Sequence, residues 1–262
     1  MTQIEPYQPD RSLPAKLKRR WIQWRTVQPL PAFGSQALIS FTFDDFPRSA
    51  AEAGAEALDQ ISAHGTYYVC SGMIEGDSVM GPLYRHDDLL ALRDAGHQLS
   101  LHTHSHLDCG KAPLDQIEQE IADNQHQLSD WLELPKAQHF AWPYGETQLN
   151  AKRALISQVQ SARGILPGIN RTGSDVMQLR AMELTPAHAS HQRARQAIET
   201  VAREGGWLIL FTHDVQTDPS PFGVQTDVLK NLTQHAKQSG AHVVSIAEAM
   251  QMIGEVEPHE AA

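Results

Sequence analysis

The 262-residue chain has little cysteine, few aromatic residues and no long apolar run. Its two cysteines, Cys70 and Cys109, cannot build a disulfide framework, so a reducing compartment is expected. The longest uninterrupted apolar stretch, Trp207 to Phe211, falls far short of the roughly 20 residues that span a bilayer. The first ten residues hold Glu5 and Asp10 and no apolar segment, so we expect no secretory signal and a cytoplasmic location. Positive charge is scarce: 21 Lys and Arg stand against 31 Asp and Glu, a net charge of −10. A body that acidic repels phosphate backbones, so nucleic acid is not an expected partner. The GxSxG elbow, HExxH, the P-loop and GxGxxG are also missing. Their absence argues against a serine hydrolase, a zincin protease, an NTPase and a dinucleotide enzyme.

What is present is the ordinary balance of a globular chain, 41% hydrophobic and 20% charged. Residues 1–36 read as an N-terminal arm punctuated by Pro6, Pro9, Pro14, Pro29 and Pro31. Residues 1–25 carry six Lys and Arg against two acids, a balance of +4 that leaves −14 for the rest. Leu17, Trp21 and Trp24 recur at helical spacing among Lys16, Lys18, Arg19, Arg20 and Arg25. Such a helix either makes peripheral contact with an anionic membrane surface or packs its tryptophans on the domain. From residue 37 strand and helix signals alternate. Strands are expected at Ala37–Phe43, Thr66–Cys70, His97–Leu101, Gln138–Trp142, Leu179–Leu184, Trp207–Thr212 and Val243–Ile246. Helices fall between them, with capping boxes at Ser49/Glu52 and Ser245/Glu248, and Gly164–Gln178 reads as a loop. The alternation predicts a single α/β domain over 37–254, a barrel or doubly wound sheet of parallel strands, with a polar tail at 255–262.

In such architectures the working side chains gather where strands end. Four expected strand ends carry reactive residues: Asp44 and Asp45, His102 to His106, Trp142 to Gly145, and His213 with Asp214. His102 and His106 stand four apart, so on a helical turn their imidazoles point the same way. Two imidazoles and one carboxylate make a facial metal site with open positions. One of the paired aspartates can bind the metal while the other accepts a proton from water, and His213 can donate one to a leaving group. Each piece alone has an ordinary explanation: paired Asp is common turn chemistry, and HxxxH is weak among 14 histidines. Their agreement at four strand ends carries the argument.

At these residues the sequence resembles the polysaccharide deacetylases, the NodB-homology domain of carbohydrate esterase family 4. Thr42-Phe43-Asp44-Asp45 matches the first motif and implies Asp44 as base and Asp45 as metal ligand. His102-Thr103-His104-Ser105-His106 matches the second and implies His102 and His106 as ligands. Phe140 to Gly145 corresponds to the third, with Trp142, Pro143 and Tyr144 against the substrate and the Tyr144 backbone N–H on the carbonyl oxygen. Leu210-Phe211-Thr212-His213-Asp214 matches the fifth and implies His213 as acid and Leu210 as pocket wall. The resemblance implies a distorted (β/α) barrel of about seven parallel strands and a divalent metal, usually zinc, although the ligand set also accepts cobalt, nickel or manganese. The family's third-motif Arg, which pairs with the catalytic Asp, is Ala141 here, and Arg180, or less directly Arg171, is the candidate replacement. Glu183, Asp175 or Asp214 is expected to orient His213, and His104 to line the substrate groove. The reading is a deacetylase of a carbohydrate or sugar precursor. Its rivals are a deformylase or amidohydrolase acting on a lipid-linked sugar or a non-sugar amide, and a non-catalytic carbohydrate-binding barrel.

Overall fold

The computed structural model describes residues 12–133 and 136–255. The first eleven residues of the arm, and the expected polar tail beyond Glu255, lie outside the described residues. The main sheet has eight strands: β1 (Ala37–Asp44), β2 (Thr66–Val69), β3 (Gln98–Leu101), β4 (His139–Ala141), β5 (Ser161–Arg163), β6 (Met182–Glu183), β7 (Gly206–Thr212) and β8 (His242–Val243). The order is β5-β4-β3-β2-β1-β7-β6, and β8 pairs with the start of β1. Every pairing is parallel. A parallel bridge between Arg163 and Leu179 draws the two ends together. The sheet thus curls into the expected distorted (β/α) barrel.

The centre is the β1–β7 pair, in register from Ala37 opposite Gly206 to Phe43 opposite Thr212. Both strands are buried almost end to end, as continuous apolar runs in a parallel sheet must be. Their polar residues are bonded across the core: Trp207 Nε1 donates to Ser40 Oγ at 3.0 Å, and Thr42 Oγ1 donates to the Leu210 carbonyl at 3.2 Å.

The outer layer consists of helices α1 (Leu13–Trp24), α2 (Ala55–Asp59), α3 (His86–Asp94), α4 (Leu114–Leu132), α5 (Leu149–Leu155), α6 (His188–Glu204), α7 (Thr226–Gln238) and α8 (Ile246–Gly254). The capping box at Ser245/Glu248 forms as expected. The one at Ser49/Glu52 does not. Ser49 is itself helical, a π-turn at Ala50–Gly54 leads into α2, and Glu52 pairs with Arg48 at 3.2 Å. This wide turn lies hard against β1: a Cβ on Gly54 would stand 2.9 Å from the Phe43 ring. The expected strands at 179–184 and 243–246 shorten to two residues each, and β5 falls where no strand was expected.

The chain before β1 is fastened to the barrel by one buried cation. Lys152 Nζ donates to the carbonyls of Ile22 (3.2 Å) and Arg25 (2.8 Å) and to Gln178 Oε1 (3.0 Å), and it pairs with Asp175 at 2.5 Å. Asp175 in turn accepts from the backbone N–H groups of Val27 and Gln28. Asp175, one of the residues expected to orient His213, is therefore committed to the arm. Replacing Lys152 with Met should strand the Asp175 carboxylate and cost about 3–5 kcal/mol, read from urea unfolding.

A second prediction concerns acid. Burial pushes the His139 imidazole down to about 4. The unfolded chain, with imidazoles near 6.5, takes up a proton that folded His139 refuses. The stability contributed is complete above about pH 6.5 and is lost as pH falls toward about 4. At pH 5 the loss from this residue should reach about 2 kcal/mol. His139→Gln should shrink the difference between urea midpoints measured at pH 7 and pH 5.

Candidate active site

The loops that follow β1, β3, β4 and β7 meet at the C-terminal end of the barrel. Asp44 is the last residue of β1, and Asp45 turns into a left-handed conformation with φ of 43°. Strand alternation would send neighbouring side chains to opposite faces. The turn at Asp45 instead lets both carboxylates face one cavity of about 300 Å³, which His102, His106 and His213 also line. Thr103, His106 and Tyr144 are left-handed as well. So four of the seven non-glycine positive-φ residues among those described lie in three loops around this cavity. Backbone strain of this kind persists only where surrounding contacts over-determine it.

The contacts around the second motif come from α4. Asn124 Oδ1 accepts from the His102 N–H at 3.0 Å, while its amide donates to the Val69 carbonyl. Glu120 accepts from the Ser105 N–H at 2.7 Å and from the Ser105 hydroxyl at 2.8 Å. The pentapeptide is therefore a strained loop and not the helical turn its spacing predicts. His102 and His106 still converge, with ring centroids 5.0 Å apart.

His102 Nδ1 lies 2.8 Å from the Ala141 carbonyl, which can only accept. The ring therefore carries its proton on Nδ1 and turns an unprotonated Nε2 inward. That Nε2 is buried, has no hydrogen-bond partner, and lies 3.7 Å from Asp45 Oδ1. His106 Nε2 lies 2.8 Å from Asp45 Oδ2. Burial alone would raise the Asp45 carboxyl, but the two imidazoles outweigh it and hold the group far below the usual carboxylate range. Burial pushes His102 down to about 4 against the pull of Asp45, so it is neutral and available as a donor. An orphaned buried imidazole nitrogen facing a carboxylate fits a divalent cation. Cys70 is an unforeseen neighbour, donating to Asp45 Oδ1 at 3.1 Å and to the His102 carbonyl at 3.0 Å. Ligand atoms of Asp45, Cys70 and His102 all lie within 4.8 Å of one another.

Asp44 has a different partner. The guanidinium of Arg163, at the end of β5, donates to Asp44 Oδ2, and Asp44 Oδ1 is buried without a bond. Arg163 is fully buried, 5.1 Å from the Tyr68 ring centroid and 4.8 Å from that of Phe211, with Nη1 on the Gly164 carbonyl at 3.0 Å. Neither expected replacement for the third-motif Arg reaches Asp44. Arg180 points to the Pro167 carbonyl at 3.2 Å, and Arg171 to Glu204 and the Gly205 carbonyl.

Across the cavity His213 Nδ1 lies 3.2 Å from the Phe222 carbonyl, so Nδ1 donates there and Nε2 is turned toward the site. Asp214 does not touch this ring. It is buried and accepts from Gln216, from the Ser220 N–H and from the Ser220 hydroxyl. It thereby holds the loop that carries the Phe222 carbonyl. A Cβ on Gly223 would fall 2.3 Å from the Asp214 carboxyl, so only glycine fits there. Glu183, at the end of β6, lines the cavity; burial raises its carboxyl while His213 opposes the shift.

The remaining expected residues divide. The Tyr144 ring meets His106 edge-on at 4.3 Å, and burial raises its phenol to about 12. Pro143 is buried in the same turn. Trp142 forms part of the cavity wall but is 1% exposed, with its indole N–H on the Met177 carbonyl at 2.9 Å, so it packs as core. His104 faces away from the cavity, 3.0 Å from Ser71 Oγ, because the loop alternates its imidazoles between the site and β2's end. Leu210 is buried within β7, and its neighbour Phe211 forms the wall instead.

Residues 34–160 match the family model for polysaccharide deacetylases, while no curated protein matches the chain. Several solved structures share the fold. A family 4 carbohydrate esterase from Bacillus anthracis aligns with a TM-score of 0.60 at 12% identity, over 94% of this chain and 95% of that one. A family 4 acetyl xylan esterase from Clostridium thermocellum, in complex with a cobalt ion, gives 0.59 at 23% identity, over 83% and 92%. A CE4-family pseudoenzyme from Bacillus anthracis gives 0.57 at 15%, over 86% and 70%. The stretch that matches the polysaccharide deacetylase model, residues 34–160, holds Asp44, Asp45, His102 and His106.

Proposed function

We propose that the chain is a metal-dependent hydrolase that removes an N-acetyl or similar acyl group from an amino sugar. One arrangement carries the reading: Asp44, fixed by Arg163, stands beside the Asp45–His102–His106 cluster and faces His213 across a single cavity.

Asp45, His102 and His106 would hold a divalent cation, with zinc first and cobalt, nickel or manganese as alternatives. When bound, such an ion would supply Lewis acidity toward the amide carbonyl and the attacking water. Asp44 Oδ1, buried and unbonded, receives the proton of the attacking water. Arg163 donates to the other carboxylate oxygen and holds the group in place. The Tyr144 backbone N–H is assigned to the carbonyl oxygen as negative charge builds there, a contact typically worth about 2.7–4 kcal/mol of barrier. His213, steered by the Phe222 carbonyl, gives a proton from Nε2 to the amine nitrogen as its bond to the acyl carbon breaks. Water is consumed, and a carboxylic acid and an amine leave.

Asp44→Asn should lower acetate release from an N-acetyl amino sugar by about 10²–10⁴-fold while metal content, measured by elemental analysis, stays as in the parent. Near-parental turnover would remove Asp44 from the role of base. The double variant His102→Ala/His106→Ala should purify without metal and give no heat on titration with cobalt. Full occupancy in that variant would refute the ligand set.

A further inference from the structure

Large apolar side chains left in solvent are few among the described residues, and all but Ile156 fall into two groups. Four of them are Leu13, Leu17, Trp21 and Trp24, exposed by 75, 69, 50 and 67%. They recur every three or four residues and form one stripe along α1. Three others, Val79, Ile165 and Phe222, sit on the rim of the catalytic cavity.

The stripe cannot turn inward. Ile22 on the opposite side of α1 is buried, and Lys152 grips the Ile22 and Arg25 carbonyls from within the barrel. The helix is therefore held with its tryptophans outward, which disposes of the alternative that they pack on the domain. Cations flank the stripe: the Arg20 guanidinium lies 5.0 Å from the Trp24 ring and that of Arg25 5.3 Å from the Trp21 ring. The helix also runs past the rim, by the face opposite the stripe. Arg19 pairs with Glu146 at 3.1 Å, and Glu146 directly follows Gly145. Ile165 packs so closely on Gly145 that a Cβ there would stand 2.2 Å from its Cγ1.

We infer that the exposed stripe of α1 docks on an anionic lipid bilayer, with the cavity rim close to the docked helix. The occupant follows from charge as well as from the apolar stripe. The first 25 residues carry +4 and the remainder −14. An anionic surface attracts this helix and repels the rest of the body, which sets a single orientation. Aromatic and leucine side chains beside Lys and Arg are what an interfacial helix buries at the headgroup boundary. The docked helix brings the nearby rim close to the bilayer, so the amide the cavity takes is one carried at the membrane surface, with the apolar rim residues Val79, Ile165 and Phe222 against the lipid portion of the substrate. The substrate half of this inference rests on the hydrolase reading above; the docking half does not.

Flotation of the full chain with vesicles tests it. The protein should float with vesicles of equal parts phosphatidylglycerol and phosphatidylcholine at roughly 0.1 M salt. Binding should fall at least about tenfold with phosphatidylcholine alone, or at roughly 1 M salt. The variant Leu17→Ser/Trp21→Ser/Trp24→Ser changes only exposed side chains. It should lose flotation to a similar degree while keeping its circular dichroism, its metal content and its turnover of a soluble N-acetyl amino sugar. Equal flotation of parent and variant, or none by the parent, overturns the docking surface. So does light scattering that shows a parent dimer and a variant monomer, since a second copy would then cover the stripe. Vesicle binding by a protein that hydrolyses no amide would sink the hydrolase reading alone. Turnover without vesicle binding would sink this inference alone.

Discussion

Two adjacent carboxylates cannot both stay ionised in a buried pocket unless each has its own positive surroundings. The architecture around Asp44 and Asp45 answers that constraint. Asp45 sits against the His106 and His102 side chains of the loop after β3, where a cation would also lie. Asp44 is compensated from across the barrel by Arg163, which lies at the end of β5, four strands away in the sheet order. That contact exists only because the sheet curls. The bridge from Arg163 to Leu179 that brings the sheet's edges together therefore also completes the site. Curvature and charge balance are one requirement seen at two scales.

The same division of labour runs through the supporting structure. Left-handed backbone at Asp45, Thr103, His106 and Tyr144 aims the reacting groups, and it is expensive without help. Glu120 and Asn124, both on α4, hold the histidine loop by its backbone, and Asp214 does the same for the loop behind His213. Helices that look like barrel cladding thus act on the chemistry through single polar side chains. None of these three residues lines the cavity, yet each fixes a loop that brings an imidazole to it.

Much of this was legible beforehand. The β1 and β7 runs, the α4 periodicity and the Ser245/Glu248 cap are local signals, and the structure follows them. That Asp44, Asp45, His102, His106 and His213 reach one cavity was readable because several different strand ends agreed. What escaped reading was non-local. Arg163 sits on a strand of three residues, too short for any alternation, and a charged side chain reads as surface unless its partner, 119 positions away, is known. Cys70 lacks any spacing relation to Asp45. His102 and His106 looked like a helical pair, but the turn is set by Glu120 and Asn124, which lie outside the motif. Ser49 had the residue pattern of a cap and lost it to the close approach of Gly54 to Phe43, which the strand behind it dictates.

Lys152 gives the arm a mechanical line to the cavity. Its ammonium joins the carbonyl end of α1 to Asp175 and Gln178, which bracket a tight turn at 176–178. The carbonyl of Met177 within that turn holds the Trp142 indole, and Trp142 forms cavity wall. A tug on the helix is thereby transmitted, through one cation and one short turn, to a side chain beside the reacting groups. A chain begun at residue 37 would abandon two of the ammonium's carbonyl acceptors and loosen the wall from behind, so the leading segment belongs to the pocket's foundations as much as to its exterior.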